Sequence, residues 1–311
     1  MGASLPRSAA AGRPFDLDDD AAYRRWRDWK LAHRPAATAD LIVELADARA
    51  LRPAERSALL DRIGRAGFAL YRSPVPGDDR ELPRRLGAQL GVQRLDANWL
   101  ADDDGISSIA VRARADSGGG DGFIPYTDRP IRWHTDGYYH PAARTIRTLI
   151  LHCVRPARAG GVNALLDPEL AYLALRDASP AQVHALMQPD AMTIPAREDA
   201  AGVARAAQAG PVFRVDAGGR LQLRYTARTR SIAWRDDTAT RAAAAALAAL
   251  LASDSPWIHR VRLDAGMGLV GHNVLHDRSA FVDDPAAPRL LWRARFTDRI
   301  ATRWDDGWRH G

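Results

Sequence analysis

The stretch Ile131-Arg-Trp-His-Thr-Asp-Gly-Tyr-Tyr139 constrains this chain more than any other. As an extended strand it projects alternate side chains to opposite faces, so His134 and Asp136 share one face while Trp133 and Thr135 take the other. One imidazole and one carboxylate on one surface make up two-thirds of a facial triad of two histidines and a carboxylate. That donor set holds non-haem Fe(II) and leaves the opposite face open. The rest of the chain must then supply a third ligand.

A chain of 311 residues, 46% of them hydrophobic, is long enough to bury a large core. The expected organisation is a disordered lead-in over residues 1–15 and a single domain over 16–311, with a helical N-terminal portion at 16–66 and a core with helical insertions at 67–300. Met1 to Ala11 lacks the continuous apolar core of a signal peptide, and no apolar run approaches the ~20 residues of a membrane helix. A soluble chain with no membrane partner is expected. Cys153 is the sole cysteine, so neither a disulfide framework nor a thiolate metal cluster is expected, and the cytoplasm is the expected compartment. The net charge of +6 comes almost wholly from arginines scattered among acids, since Lys30 is the only lysine. Without a basic run, nucleic acid is not an expected partner, while a homo-oligomer is compatible with the sequence.

Along the chain, helices are expected at Tyr23 to Lys30, Pro53 to Arg65 and Arg80 to Leu90, with a first strand at Phe68 to Tyr71. Ser117 to Gly122 reads as a surface loop, because it lacks the G-x-x-x-x-G-K-[ST] pattern of a phosphate cradle. Ile146 to Val154 and Val162 to Leu166 read as strands around the Gly160-Gly161 turn, followed by proline-opened helices at Pro168 to Arg176 and Pro180 to Met187. Residues 196–210 are alanine-rich, lack an apolar stripe and read as a mobile segment that could cover a site. A hairpin closes at Gly218-Gly219, and Thr238 to Leu251 is strongly helical.

The remaining chemistry lies near the C-terminus. His272 and His276 are both candidates for the third ligand. Arg289 to Phe296 alternates, placing Arg289, Leu291, Arg293 and Arg295 on one face. Several guanidinium groups on one strand face need water or anionic partners, and their planar fork suits bidentate capture of a carboxylate.

Together, Trp133-His-Thr-Asp-Gly137, Gly160-Gly161, Leu275-His-Asp-Arg-Ser-Ala-Phe281 and Arg289-Leu-Leu-Trp-Arg293 resemble the TauD/TfdA superfamily of Fe(II)/2-oxoglutarate-dependent dioxygenases, over roughly residues 65–300. The resemblance implies a mainly-β fold with flanking helices around a double-stranded β-helix, or jelly-roll, core. It implies His134, Asp136 and His276 as iron ligands, with His276 preferred over His272 for its Leu-His-x-Arg-x-Ala-Phe context. It implies Arg289 as partner of the distal carboxylate of 2-oxoglutarate and Arg293 as a contact for an anionic substrate. Where relatives commonly carry a threonine after the Gly-Gly turn, this chain has Asn163, whose amide can still donate to a co-substrate carboxylate. Tyr138 and Tyr139 either line the substrate pocket or pack at its rim. The implied activity is hydroxylation of a small, anionic organic molecule, with dioxygen consumed and succinate and CO2 formed. A zinc-dependent hydrolase and a non-catalytic jelly-roll binding protein are the competing readings of the same donor set.

Overall fold

Two open sheets carry the site. In the larger, strands Ile42–Glu44, Phe68–Arg72, Met267–His272, Thr148–Arg155, Leu290–Phe296 and Ile106–Ile109 lie side by side in that order, and only the first pair is parallel. In the smaller, His259–Arg262, Val162–Leu166, Leu275–Arg278 and Ile131–His134 are antiparallel neighbours. This computed structural model describes residues 12–75, 78–96, 105–111, 124–199, 202–228 and 232–305. Residues 1–11 of the expected lead-in, the Ser117 to Gly122 loop and Arg230 lie outside them. No helix among the described residues is long and apolar enough to cross a membrane.

Alternation along the strands gives each sheet an inner and an outer face. Leu149, Cys153, Leu269 and Leu291 of the larger sheet share a buried cluster with Leu165 of the smaller. The opposite face of the larger sheet, including Tyr71, Ile150, Val270 and Ala294, is covered by helices Pro53–Ala66 and Leu82–Gln89 through Leu59, Ile63, Leu82 and Leu86. The smaller sheet's outer side, with Ala164, Leu166 and Leu275, packs against helices Asp20–His33, Pro168–Ala178, Pro180–Leu186 and Thr238–Ala252.

Local chemistry explains these helix boundaries. Pro53 opens its helix, and Gly67, at φ 80°, closes it in the left-handed region that glycine enters without strain. Asp237 and Asp167 cap theirs by accepting from the backbone N–H groups of Thr240 and Glu169. Lys30 is buried in the first helix and bridges Asp167 at 2.6 Å and Glu169 at 2.7 Å. Phe15, placed by the sequence at the end of the lead-in, is buried edge-on against Trp26 and Tyr172.

The expected mainly-β jelly-roll is corrected by the structure. Helix and strand are nearly balanced, at 30% and 27%, and no sheet is closed or curled. Both large sheets end in open edges, with no ladder joining them among the described residues. The physical reason lies in chain economy: a helix advances about 1.5 Å per residue and a strand about 3.3 Å, so the helices that cover two sheets use as many residues as the sheets themselves. The segment 196–210 also departs from a loop, since Arg197–Asp199 pairs with Gly202–Arg205, and Gln208–Gly210 pairs with Met192–Ile194.

Candidate metal centre

Strand pairing brings the two histidines together across the sequence. His276 stands opposite His134 in the antiparallel ladder between Leu275–Arg278 and Ile131–His134. Asp136 arrives differently from the expected alternation, because the strand ends at His134 and Asp136 opens a turn that Gly137 continues at φ +68°. A Cβ at Gly137 would lie 2.6 Å from Ile146 Cγ1, so close packing and backbone angle both call for glycine there. Two clamps hold the turn. The Asn273 side chain accepts from Asp136 N–H at 2.8 Å and donates to the carbonyls of Asp136 at 2.7 Å and Ile146 at 3.0 Å. Beside it, Thr135 N–H donates to Tyr225 O, and Tyr225 N–H to Thr135 Oγ1.

The donor atoms of His134, Asp136 and His276 all lie within 4.8 Å of one another. His134 Nε2 is 3.6 Å from Asp136 Oδ1, and the two imidazoles stand 4.2 Å apart, tilted by 50°. Each histidine places Nδ1 2.9 Å from the carbonyl two residues earlier, Arg132 and Val274 respectively. A carbonyl only accepts, so Nδ1 carries the proton in both rings and the Nε2 lone pair faces the shared space. Burial and the neighbouring His134 push the His276 pKa down to about 4, leaving a neutral imidazole. Burial alone would raise the Asp136 carboxyl, but the charge of Arg293 holds it well below the usual range. A neutral imidazole and an ionised carboxylate are the forms that ligate a divalent metal. His272, the competing third ligand, points elsewhere and donates Nε2–H to Ile300 O at 3.1 Å.

His134 and His276 open into a small cleft. Asn163, Arg289, Leu291 and Arg293 line it together with His134 and His276. The predicted alternation of the arginine strand therefore holds, and its basic face sorts by partner. Arg293 Nη1 lies 3.4 Å from Asp136 Oδ2, and Arg295 Nη2 donates to Asp96 Oδ2 at 2.7 Å. Arg289 has no carboxylate partner among the described residues, although it is only 5% exposed. Its guanidinium rests over the Phe281 ring at 4.9 Å, and its Nη1 finds no hydrogen-bond acceptor. Asn163 Nδ2, in the same cleft, is likewise buried without an acceptor. With Arg278 Nε and Arg293 Nε of the same lining also lacking acceptors among the described residues, orphaned donors beside a metal-type donor set fit an anionic, oxygen-rich co-ligand.

Tyr138 and Tyr139 do not line this cleft. Both are half-buried and pack edge-to-face at 5.2 Å, with Arg295 Nη1 3.3 Å from Tyr139 OH. Arg228 is exposed. Sequence reasoning missed Asn273, whose only signal was its place between the two candidate histidines. It also missed Asp96, which gathers Arg295, Arg144 and His140.

The chain matches the taurine catabolism dioxygenase TauD, TfdA family over residues 31–295. It belongs to that family. The resemblance carried by the motifs is thereby borne out, and the triad is a facial-triad-like metal site in a member of the Fe(II)/2-oxoglutarate oxygenase superfamily. Among similar proteins, a uridine-5'-phosphate dioxygenase from a Streptomyces species is 34% identical over 253 residues, covering 77% of this chain and 88% of the relative. Another, from an Amycolatopsis species, is 33% identical over 175 residues, covering 53% and 60%. Among solved structures, the non-heme iron oxygenase OrfP superposes with a TM-score of 0.59 at 20% identity, covering 97% of each chain. Asparagine oxygenase superposes at 0.57 and 16% identity, covering 91% of each. At those identities the structures show a shared fold alone.

Proposed function

We propose that this protein is an Fe(II)- and 2-oxoglutarate-dependent dioxygenase that hydroxylates a small anionic substrate, of the class of a nucleoside 5'-phosphate. The observation that carries the reading is the pair of buried, orphaned donors, Arg289 Nη1 and Asn163 Nδ2, in the cleft that opens from His134 and His276. Catalytic zinc would suit the triad equally well but leaves Arg289 and Asn163 without purpose.

His134 and His276 present Nε2, and Asp136 presents its carboxylate, to the metal. Bound Fe(II) with 2-oxoglutarate and dioxygen supplies oxidative decarboxylation, giving succinate and CO2, coupled to insertion of one oxygen atom into a substrate C–H bond. Arg289 holds the distal carboxylate of 2-oxoglutarate, and Asn163 donates an amide N–H to the same co-substrate. Leu149, Leu151 and Leu291 form an apolar wall that excludes water and strengthens those charge-assisted contacts. Arg293 keeps Asp136 ionised. The nucleotide assignment rests on the 34% identical uridine-5'-phosphate dioxygenase, which aligns over most of both chains.

Anaerobic addition of Fe(II) and 2-oxoglutarate should give a weak visible charge-transfer band that is absent in His134→Ala. Succinate release should then depend on uridine 5'-monophosphate. Zinc-dependent activity with no band in the presence of iron would overturn the proposal.

A further inference from the structure

A cluster of arginines beside the metal-ligand turn is left unexplained by the metal and the co-substrate. Arg224 donates Nε to Tyr138 O at 2.8 Å, Nη1 to Met192 O at 3.0 Å and Nη2 to Gln208 O at 2.6 Å. It thereby ties the turn after Asp136 to the paired strands at 192–194 and 208–210. Arg205 reaches in from that region with its guanidinium 5.9 Å from the Tyr139 ring and donates Nη2 to Pro195 O at 2.7 Å. Arg214 approaches from the hairpin, where it donates to Thr145 Oγ1 at 2.9 Å and to Gln222 Oε1.

All three side chains are half-buried, and among the described residues none has a carboxylate partner; their acceptors are carbonyls, a hydroxyl and an amide. Asp216, whose charge acts on Arg214, is engaged by Arg147 at 2.9 Å. Arg224 lies in the field of both Arg205 and Arg214, and this repulsion adds to burial in lowering its pKa to about 10. Like charges gathered and partly desolvated, with no carboxylate in ion-pair contact among the described residues, cost free energy that an anion would recover. Arg224 spends three of its donors on backbone carbonyls, so Arg205 and Arg214 are the members with donors to offer.

We propose that Arg205 and Arg214, flanking Arg224 beside the Tyr138–Tyr139 turn, form a second anion subsite that takes the phosphate of the substrate. The inference rests on the nucleotide reading above and specifies which residues distinguish a phosphorylated nucleoside from the free one. Arg293, whose Nη1 faces Asp136 at 3.4 Å and whose Nε has no acceptor among the described residues, is the competing cation. Phosphate suits guanidinium groups because two parallel N–H donors match two of its oxygens.

The test is anaerobic calorimetry of the Fe(II)- and 2-oxoglutarate-loaded protein with uridine 5'-monophosphate and with uridine. Wild type should bind the monophosphate about tenfold or more tightly than uridine. Arg205→Gln and Arg214→Gln should each shrink that preference severalfold, and the double variant should abolish it. Where a glutamine variant melts early, Arg205→Lys and Arg214→Lys replace it and should keep part of the preference. Equal affinity for both probes in wild type, or a preference that survives the double variant, overturns the subsite. So does loss of the preference in Arg293→Gln alone. Succinate release is read separately. A wild type that prefers the monophosphate yet forms no succinate with it sinks the parent function and leaves the subsite standing.

Discussion

Replacing Asn273 tests whether the turn that carries Asp136 is built by a side chain rather than by the sheet. Its amide makes three hydrogen bonds, at 2.8, 2.7 and 3.0 Å, to the backbone on both sides of the turn. Each contributes about 1 kcal/mol net, so Asn273→Ala should destabilise the metal-free protein by about 2–4 kcal/mol, less where water reaches the freed groups. Asp136 should then wander from His134 and His276, and the loss of such an outer support weakens metal binding roughly 10- to 100-fold. Asn273→Asp sharpens the point. It keeps an acceptor for Asp136 N–H but turns a carboxylate oxygen towards two carbonyls that lose their donor, so it should be at least as damaging as alanine. Urea denaturation of the apoprotein gives the stability, and anaerobic Fe(II) titration gives the affinity. If Asn273→Ala loses stability yet binds Fe(II) within about twofold of wild type, the clamp does not position the ligand and the reasoning fails.

Three further outcomes follow from the same geometry. Arg289→Ala should weaken 2-oxoglutarate binding by about 3 kcal/mol, on the order of a hundredfold by calorimetry, while leaving Fe(II) affinity near wild type. Gly137→Ala, at φ +68° with Ile146 Cγ1 2.6 Å from the added carbon, should cost about 2–4 kcal/mol of stability in chemical denaturation. Burial alone would raise the Asp96 carboxyl, but the His140 hydrogen bond, the charge of Arg295 and the Arg144 hydrogen bond hold it at about 2. A depressed carboxyl pKa contributes stability that is present above the unfolded value and is lost as pH falls through the folded one. Stability should therefore drop by about 2 kcal/mol between roughly pH 4 and pH 2, and Asp96→Asn should flatten that slope in acid titrations of unfolding.

What the sequence disclosed and what it hid follow one physical line. The pairing of His134 with His276 and the basic face of the Arg289 to Phe296 strand were legible because motif and period-two alternation are local signals. The strand expected to run from His134 to Asp136 stops early, because Asp136-Gly137 is a turn dipeptide, yet the two side chains still meet. The jelly-roll expectation failed because the motifs report the neighbourhood of the site and not how much helix surrounds it. Asn273 contacts Asp136 across 137 residues and Asp96 meets Arg295 across 199, and no local pattern records such contacts.

The arginine strand shows how a partner list separates roles that spacing alone runs together. On one face, Arg289, Arg293 and Arg295 look equivalent in sequence; Arg289 and Arg295 are buried and Arg293 half-buried, and such cations need an anion. Arg295 finds Asp96 and Arg293 finds Asp136, so the protein itself supplies their counter-charges. Arg289 finds an aromatic face and, among the described residues, no carboxylate in ion-pair contact. A buried guanidinium left in that state is costly unless a ligand completes it, which supports the proposed assignment of Arg289 to the co-substrate. With Arg293 facing Asp136, the proposed substrate's anion is assigned to cations outside this strand. Arg205 and Arg214, half-buried and without a carboxylate in ion-pair contact among the described residues, are the cations proposed for that anion, grouped around Arg224 beside the turn that follows Asp136.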